Sequence, residues 1–532
     1  MKILTISTLT LIAAPAFGRS DVLYHIDRPA GVLSGWGHSL VMLDDVDDDG
    51  VDDLAVGIFV HGGGNVATVH SGATGAHLYT LVAPVEPLFY GAGITSVRDE
   101  NGDGVSDVVV VGSHSGDPNS PDGSIIVYSG ADGAQLRLVR PTAGLFFQSH
   151  AQENQPAVAD LDGDGHDEVF VRTTGGLGGY QLSLMSTTTG QALFTVTPAG
   201  LGNFTGPLLA RLDDHDGDGV DDLAVPVRNG FDARVEIRSG ATGAWITDIE
   251  PRGAHHLTGN GEPFFAVDDV DGDGMRDIAL GAVFDGFVGV YSSADGSKLE
   301  RWDCSAQPIA CFGSRLIEID DISGDGHSDL IAMESNAFGS GGVRLFGLDP
   351  MTGKLLFEEH NAALAGGYSN ADRIIDAPGL DPQGFPSFAL FEDLTGRVAV
   401  RRILPEVGAR TCPSNPNSSG EAAVLHALGS ASVSTDELSF ELEHAPALQP
   451  AFFAFGSQLT SQPFGGGTLC IGGIVGRFPA VHMDASGGAA LSVDLASFNG
   501  EIGSTWTFQA VFRDPAGDGF STSDALRIEL LP

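Results

Sequence analysis

Six nine-residue stretches of this 532-residue chain carry oxygen donors at fixed intervals. They begin at Asp45 (DVDDDGVDD), Asp99 (DENGDGVSD), Asp160 (DLDGDGHDE), Asp214 (DHDGDGVDD), Asp269 (DVDGDGMRD) and Asp321 (DISGDGHSD). Alternate residues at positions 1, 3 and 5 put three side-chain oxygens on one side of a tight loop. Gly at position 6 permits a left-handed turn, position 7 can offer its carbonyl, and position 9 adds a last carboxylate. Such a set of hard oxygens at flexible geometry suits calcium, whereas magnesium wants strict octahedral geometry and retains water.

The expected ligand sets follow residue by residue. They are Asp45, Asp47, Asp49 and Asp53 with the Val51 carbonyl; Asp99, Asn101, Asp103 and Asp107 with Val105; and Asp160, Asp162, Asp164 and Glu168 with His166. The remaining three are Asp214, Asp216, Asp218 and Asp222 with Val220; Asp269, Asp271, Asp273 and Asp277 with Met275; and Asp321, Ser323, Asp325 and Asp329 with His327. The sixth loop should bind most weakly, because Ser323 replaces a carboxylate. An EF-hand shares this opening but needs a bidentate Glu at position 12 between two helices. Position 12 is Val56, Val110, Val171, Val225, Leu280 or Ala332, each inside an apolar run, so that reading fails. Up to six ions are expected, structural rather than catalytic, since a loop that supplies nearly every ligand leaves no position open for substrate.

The loops lie 54, 61, 54, 55 and 52 residues apart, and a copy poor in ligands follows 58 residues later at Gly379, retaining Asp381, Gln383, Gly384 and Ser387. A second motif runs in step: HSGATGAHLYTL from His70, YSGADGAQLRLV from Tyr128, MSTTTGQALFTV from Met185, RSGATGAWITDI from Arg238, YSSADGSKLERW from Tyr291 and the looser LDPMTGKLLFEE from Leu348. Each reads as strand, tight turn, strand. One repeat is therefore strand, acidic loop, strand, turn, strand, SGATG-type turn, strand, a four-stranded antiparallel meander. The fold class predicted is all-β: a seven-bladed β-propeller over residues 19–404. The seventh repeat lacks one strand, and residues 22–27 are predicted to supply it and close the ring, because residues 22–31 align with 135–144. A Pro/Ser/Asn/Gly-rich linker is expected over 405–420 and a small β-sandwich over 421–532.

The charge balance is 26 basic against 70 acidic residues, a formal net of -44, which disfavours nucleic acid and anionic membrane as partners. With 42% hydrophobic residues the chain can still build cores. Of the 70 acidic residues, 31 fall in the six loops or just before them, so bound cations would offset much of the acid. One early positive charge, a short apolar run and small residues read as a signal peptide over 1–18, which implies a secreted or cell-surface protein. Four cysteines in such a chain favour local disulfides, Cys304 with Cys311 and Cys412 with Cys470; a metal-thiolate site is the alternative, without a CxxC pair to support it.

The loops, together with Gly35-Trp-Gly-His-Ser-Leu40, Phe89-Tyr-Gly-Ala-Gly93 and Cys311-Phe-Gly-Ser314, resemble the FG-GAP repeats of the integrin α-chain propeller and of secreted bacterial FG-GAP/VCBS proteins. The resemblance implies calcium in the blade loops and a role in extracellular adhesion or recognition of a protein or glycan, as a monomer. Integrin ligand binding itself depends on a partner chain and on loops that have no match here. The C-terminal stretch looks like the terminal sandwich of such bacterial proteins. Calcium-rich propellers also resemble polysaccharide lyases, so an extracellular polysaccharide-active enzyme is the alternative. Lyases need a base and cationic groups, yet the sixteen histidines are dispersed, His255-His256 is the one adjacent pair, and no HExxH, GxSxG or P-loop pattern occurs. Asp514, Asp518 and Asp524 form either a further metal loop or a turn.

Overall fold

The computed structural model describes residues 18–32, 35–59, 64–83, 90–113, 123–141, 146–147, 157–158, 160–174, 180–197, 203–204, 209–229, 232–250, 264–282, 286–303, 310–336, 343–361, 373–392, 395–495 and 502–532. The expected signal peptide and the pairing of Cys304 with Cys311 fall outside these residues, as does His255-His256. The chain divides into two compact units, Ser20–Arg402 and Ile403–Pro532. Every regular element among the described residues is a strand.

The repeat builds one antiparallel sheet each time it recurs. The first sheet runs Trp36–Leu43, Asp53–Ile58, Gly64–His70, His77–Ala83, and the second Tyr90–Val97, Asp107–Ser113, Gly123–Tyr128, Gln135–Val139. In the third, two short pieces, Phe146–Phe147 and Ala157–Val158, both pair with Glu168–Thr174, followed by Tyr180–Ser186 and Ala192–Val196. The fourth repeats this with Asn203–Phe204 and Ala210–Arg211 on Leu223–Asn229, then Asp232–Arg238 and Trp245–Ile249. The fifth is Phe264–Val267, Asp277–Ala282, Phe287–Tyr291, Lys298–Asp303, and the sixth Ala310–Ile319, Asp329–Asn336, Val343–Asp349, Lys354–Asn361. A seventh sheet holds Ile374–Asp376, Ser387–Glu392 and Arg397–Pro405, with the N-terminal strand Gly18–Asp27 beside Arg397–Pro405. That strand begins earlier than residue 22.

Burial within a sheet explains its sequence. Second strands such as Asp53–Ile58 and Asp277–Ala282 are buried at every position. They therefore read as unbroken apolar runs rather than alternation, because both faces are covered. Last strands such as Trp245–Ile249 are mostly exposed or half-buried. Each last hairpin turns through a glycine in the left-handed region, for instance Gly75 at φ 72° and Gly133 at φ 72°. Here the N–H of Gly75 donates to Ser71 O at 2.7 Å and that of Ser71 to Ala76 O at 2.8 Å, and the register shifts by one residue just before the turn. The same pair of bonds recurs at Ser129, Ser186, Ser239 and Ser292.

Neighbouring sheets share cores. Leu43, Val66 and Val69 of the first pack with Ile94 and Val108 of the second, whose Val109 and Val127 pack with Val169 and Met185 of the third. Phe170 of the third meets Val225 of the fourth; Ile237 of the fourth meets Ile278 of the fifth; Val288 of the fifth meets Leu330 of the sixth. Ala389, Phe391 and Val398 of the seventh sheet pack with Trp36, Leu40 and Val56 of the first. Between the sixth and seventh, the nearly buried Arg401 donates to Ser20 Oγ at 3.0 Å and to Glu359, which also accepts from Ser20 N–H at 3.1 Å.

The second unit is a pair of antiparallel sheets. One contains Ala409–Cys412, Gly519–Glu529, Thr505–Asp514, Pro450–Phe464 and Gly467–Arg477, and the other Val424–Gly429, Leu438–Glu443 and Ala489–Val493. Phe440 on the smaller sheet lies 4.8 Å from Phe508 and 5.9 Å from Phe453 on the larger, ring centre to ring centre, inside one core. Part of the expected linker is thus structured: Ala409–Cys412 pairs with Gly519–Glu529 and carries Cys412, which is joined to Cys470 by a disulfide. A short edge strand beside a Pro/Ser/Asn-rich stretch has too little periodicity of its own to show in composition.

Trp36 is 3% exposed, donates its indole N–H to Thr68 Oγ1 at 2.8 Å and meets the edge of Phe391 at 6.0 Å. Trp36→Ala should therefore lower unfolding stability by about 3–5 kcal/mol in chemical denaturation.

Candidate metal centres

Each acidic loop leaves the first strand of its sheet and enters the second, so strand pairing fixes both of its ends. The position 1 carboxylate organises the loop from within. Asp99 accepts N–H bonds from Gly102 at 2.6 Å and Gly104 at 2.8 Å, and Asp214 and Asp269 do the same with Gly217 and Gly219, and with Gly272 and Gly274. The N–H of Gly104 and that of Gly219 are the largest causes holding Asp99 and Asp214 below the ordinary carboxylate value. Five loops place glycine at position 4, near φ 80°; the first instead strains Asp48 to φ 59°.

The position 5 carboxylate faces two ways. One oxygen accepts the N–H of position 7 in all six loops, from 2.8 Å at Met275 to 3.0 Å at Val51. The other reaches the hairpin turn, accepting Ser71 Oγ–H at Asp49 (3.3 Å) and Ser129 Oγ–H at Asp103 (3.0 Å).

Position 9 is buried in every loop, with Asp53, Asp107, Glu168, Asp222, Asp277 and Asp329 at 0–1% exposure. In four loops its two oxygens join the loop to the turn. Asp53 accepts N–H from Val46 at 2.7 Å and Gly72 at 2.8 Å; Asp107 from Glu100 and Gly130; Asp222 from His215 and Gly240; Asp277 from Val270 and Ser293. Gly72 and Gly130 sit so close that a Cβ would lie 1.8 Å from the position 8 carbonyl of Asp52 or Ser106. This clamp was not visible in the motif, which presents position 9 only as a ligand. In the ligand-poor seventh copy a serine stands there instead, and Ser387 Oγ–H donates to Ala377 O at 2.7 Å.

A second set of contacts joins successive loops. The aspartate preceding one loop accepts the N–H of position 8 in the next: Asp44 from Ser106 at 2.8 Å, Asp213 from Arg276 at 2.6 Å and Asp268 from Ser328 at 3.1 Å. Between the second and third loops the polarity reverses, with Arg98 N–H and Nε–H donating to Asp167 at 2.9 and 2.6 Å. The available signal was an extra Asp before the motif at Asp44, Asp213, Asp268 and Asp320.

The expected ligands converge to different degrees. In the third loop Asp160, Asp162, Asp164 and Glu168 bring carboxylate oxygens within 4.8 Å of one another. Asp45, Asp47 and Asp53 do so in the first, Asp214, Asp216 and Asp218 in the fourth, and Asp269, Asp271 and Asp273 in the fifth. The second and sixth loops form no such acidic group among the described residues, because Asn101 and Ser323 hold position 3. Their side chains donate instead, Asn101 to Asp103 at 2.7 Å and Ser323 to Asp321 at 3.2 Å. Carboxylates at such separations repel by about 1 kcal/mol per pair even in water, a cost that a divalent cation reverses. The donor sets fit a hard cation.

Histidines in the loops face groups of neighbouring repeats. His215 hydrogen-bonds Asp213 O at 2.7 Å and Ser293 Oγ at 3.1 Å, His166 lies 3.4 Å from Glu100, and His327 lies 3.7 Å from Asp268. Asp514, Asp518 and Asp524 do not converge: Asp514 closes a hairpin turn by accepting the N–H of Gly517, whereas Asp524 pairs with Arg410 and accepts the N–H of Leu425 at 2.7 Å.

No protein-family model and no curated protein sequence matches the chain. Among solved structures it is similar to BBS1N, determined in complex with ARL6DN and soaked with lead (TM-score 0.41, 11% identity, covering 73% of this chain and 97% of that one). It is also similar to the Dos1 propeller (0.38, 10%, 66% and 76%) and to a europium-containing methanol dehydrogenase (0.36, 12%, 65% and 80%).

Asp277→Ala should cost about 3 kcal/mol of stability even with chelator present, because two buried N–H groups lose their acceptor. Asp271→Asn should leave the chelated protein as stable or slightly more stable, because it removes like-charge repulsion, while lowering the stability added by divalent metal; calorimetric melting of both variants with and without calcium separates the roles. Burial, the largest cause, pushes Asp53, Asp107 and Asp277 up to about 6, and Glu168 and Asp329 up to about 7. Carboxyls with folded values above their unfolded ones favour the native state at low pH and lose that contribution as pH rises through about 6 to 7. Chelated protein should therefore melt at lower temperature at pH 8 than at pH 5, a difference that calcium should abolish.

Proposed function

We propose that the protein is a secreted calcium-binding propeller whose seven sheets are the blades of one closed ring, acting as an extracellular recognition or adhesion module for a protein or glycan. The observation that carries the calcium reading is the shared wiring of six loops, four of which bring three or four carboxylates within 4.8 Å of one another. The shared core of the seventh and first sheets, and the pairing of Gly18–Asp27 with Arg397–Pro405, support closure. Residues 1–18, with their leader-like pattern, and the disulfide of Cys412 with Cys470 support export. The FG-GAP-like loops support the recognition role, in which the ions hold blades together and the ring presents a binding surface.

Metal analysis of purified protein should find up to six calcium ions per chain, fewer if the second and sixth loops bind weakly. Each ion held only by the native state at a hundredfold excess over its dissociation constant adds about 2.7 kcal/mol. EDTA should accordingly lower the melting temperature substantially, and readdition of calcium should restore it. Unchanged melting after chelation would remove the structural role.

A further inference from the structure

The first strands of the first, fourth, fifth, sixth and seventh sheets border one cavity of about 510 Å3. Among the residues that line it, basic side chains outnumber acidic ones. Four arginines line it, Arg211, Arg276, Arg315 and Arg373, against two carboxylates, Glu318 and Asp376. The whole protein has only 26 basic residues against 70 acidic ones, so this gathering runs strongly against composition. Arg373 is 6% exposed and is steadied by donation of its Nε–H to His38 O at 2.8 Å. Arg276 donates to Ala266 O at 3.1 Å and lies 3.1 Å from Glu318. Arg211 stands at the exposed side, paired with the exposed Asp221 at 2.9 Å. The rest of the wall is apolar, including Leu209, Phe265 and Leu316.

We infer that this cavity binds a small organic carboxylate with an apolar body. Guanidinium groups recognise a carboxylate through paired N–H bonds and lose less hydration than ammonium groups when they do so. The apolar part of the wall supplies a surface for the rest of the ligand. The volume lies in the range of small-molecule sites. Four guanidinium groups among the lining residues, against two carboxylates there, supply donors for an anion within an acidic molecule. Burial, with Asp320 and Glu318 nearby, pushes Asp376 up to about 7, so near neutrality this carboxyl is partly protonated and repels an entering anion less. The inference deepens the recognition reading and rests on it, giving the ring a class of ligand without requiring that ligand to touch calcium.

The test is titration of the full, calcium-loaded chain with naphthoate, with uncharged naphthylmethanol and with inorganic sulfate, followed by calorimetry or NMR. Naphthoate should bind saturably, with affinity falling as salt rises, while naphthylmethanol and sulfate bind at least about tenfold more weakly. Arg315→Gln should weaken naphthoate by about tenfold, and the exposed Arg211→Gln by about threefold. No saturable binding of naphthoate at millimolar concentration, equal binding of naphthylmethanol, or unchanged affinity in both variants would overturn the inference. Melting with and without EDTA is recorded on the same samples. An intact calcium shift without naphthoate binding removes only the ligand inference, whereas loss of the calcium shift removes the calcium-propeller reading.

Discussion

A buried carboxylate at the ninth position of each acidic loop is the interaction on which the rest of the first unit depends. Asp53, Asp107, Asp222 and Asp277 each accept one N–H from the start of the loop and another from the hairpin turn. Since the residue begins the second strand or immediately precedes it, it ties a connection, a strand and a turn together at one end of the sheet. A charged group at 0–1% exposure is costly unless its oxygens are satisfied. Two backbone donors satisfy part of that need, and a cation bound in the loop would satisfy more. The clamp and the proposed ion are therefore energetically linked while being separable by mutation.

The loops also make the sheets depend on one another. Asp44, Asp213 and Asp268 each hold the backbone of the following loop. Apolar cores lie between the sheets, so polar bonds at the loop end set their register while buried side chains supply most of the stabilisation. An open array of such sheets would expose apolar faces and unpaired edges at both ends. In the proposed ring, Trp36 with Phe391 covers one such face, and the Ser20, Glu359 and Arg401 cluster fixes the strand that fills the last edge.

Charge is divided within this unit. Nearly half of the acidic residues lie in or just before the loops, where metal would neutralise them, while four of the few arginines surround a cavity. The first environment would stabilise the fold and the second would bind a ligand. That separation lets a protein of net charge -44 attract an anion at one place.

The sequence alone determined the features that local spacing encodes: the six loops, the turn motifs in step with them, the four-stranded repeat and the all-β class. Each depends on residues within about ten positions of one another, so periodicity and glycine placement expose it. The acidic residues of each loop were legible for the same reason, as was the exclusion of EF-hands by Val56, Val110, Val171, Val225, Leu280 and Ala332. The tertiary structure alone decided that position 9 is a clamp, that Asp44 and its equivalents serve the next loop, and that Ala409–Cys412 belongs to the second unit's larger sheet. It also brought Arg211, Arg276, Arg315 and Arg373 to one cavity across more than 160 residues of sequence. Those contacts join residues from different strands, turns or sheets, and only the folding of the chain brings them together.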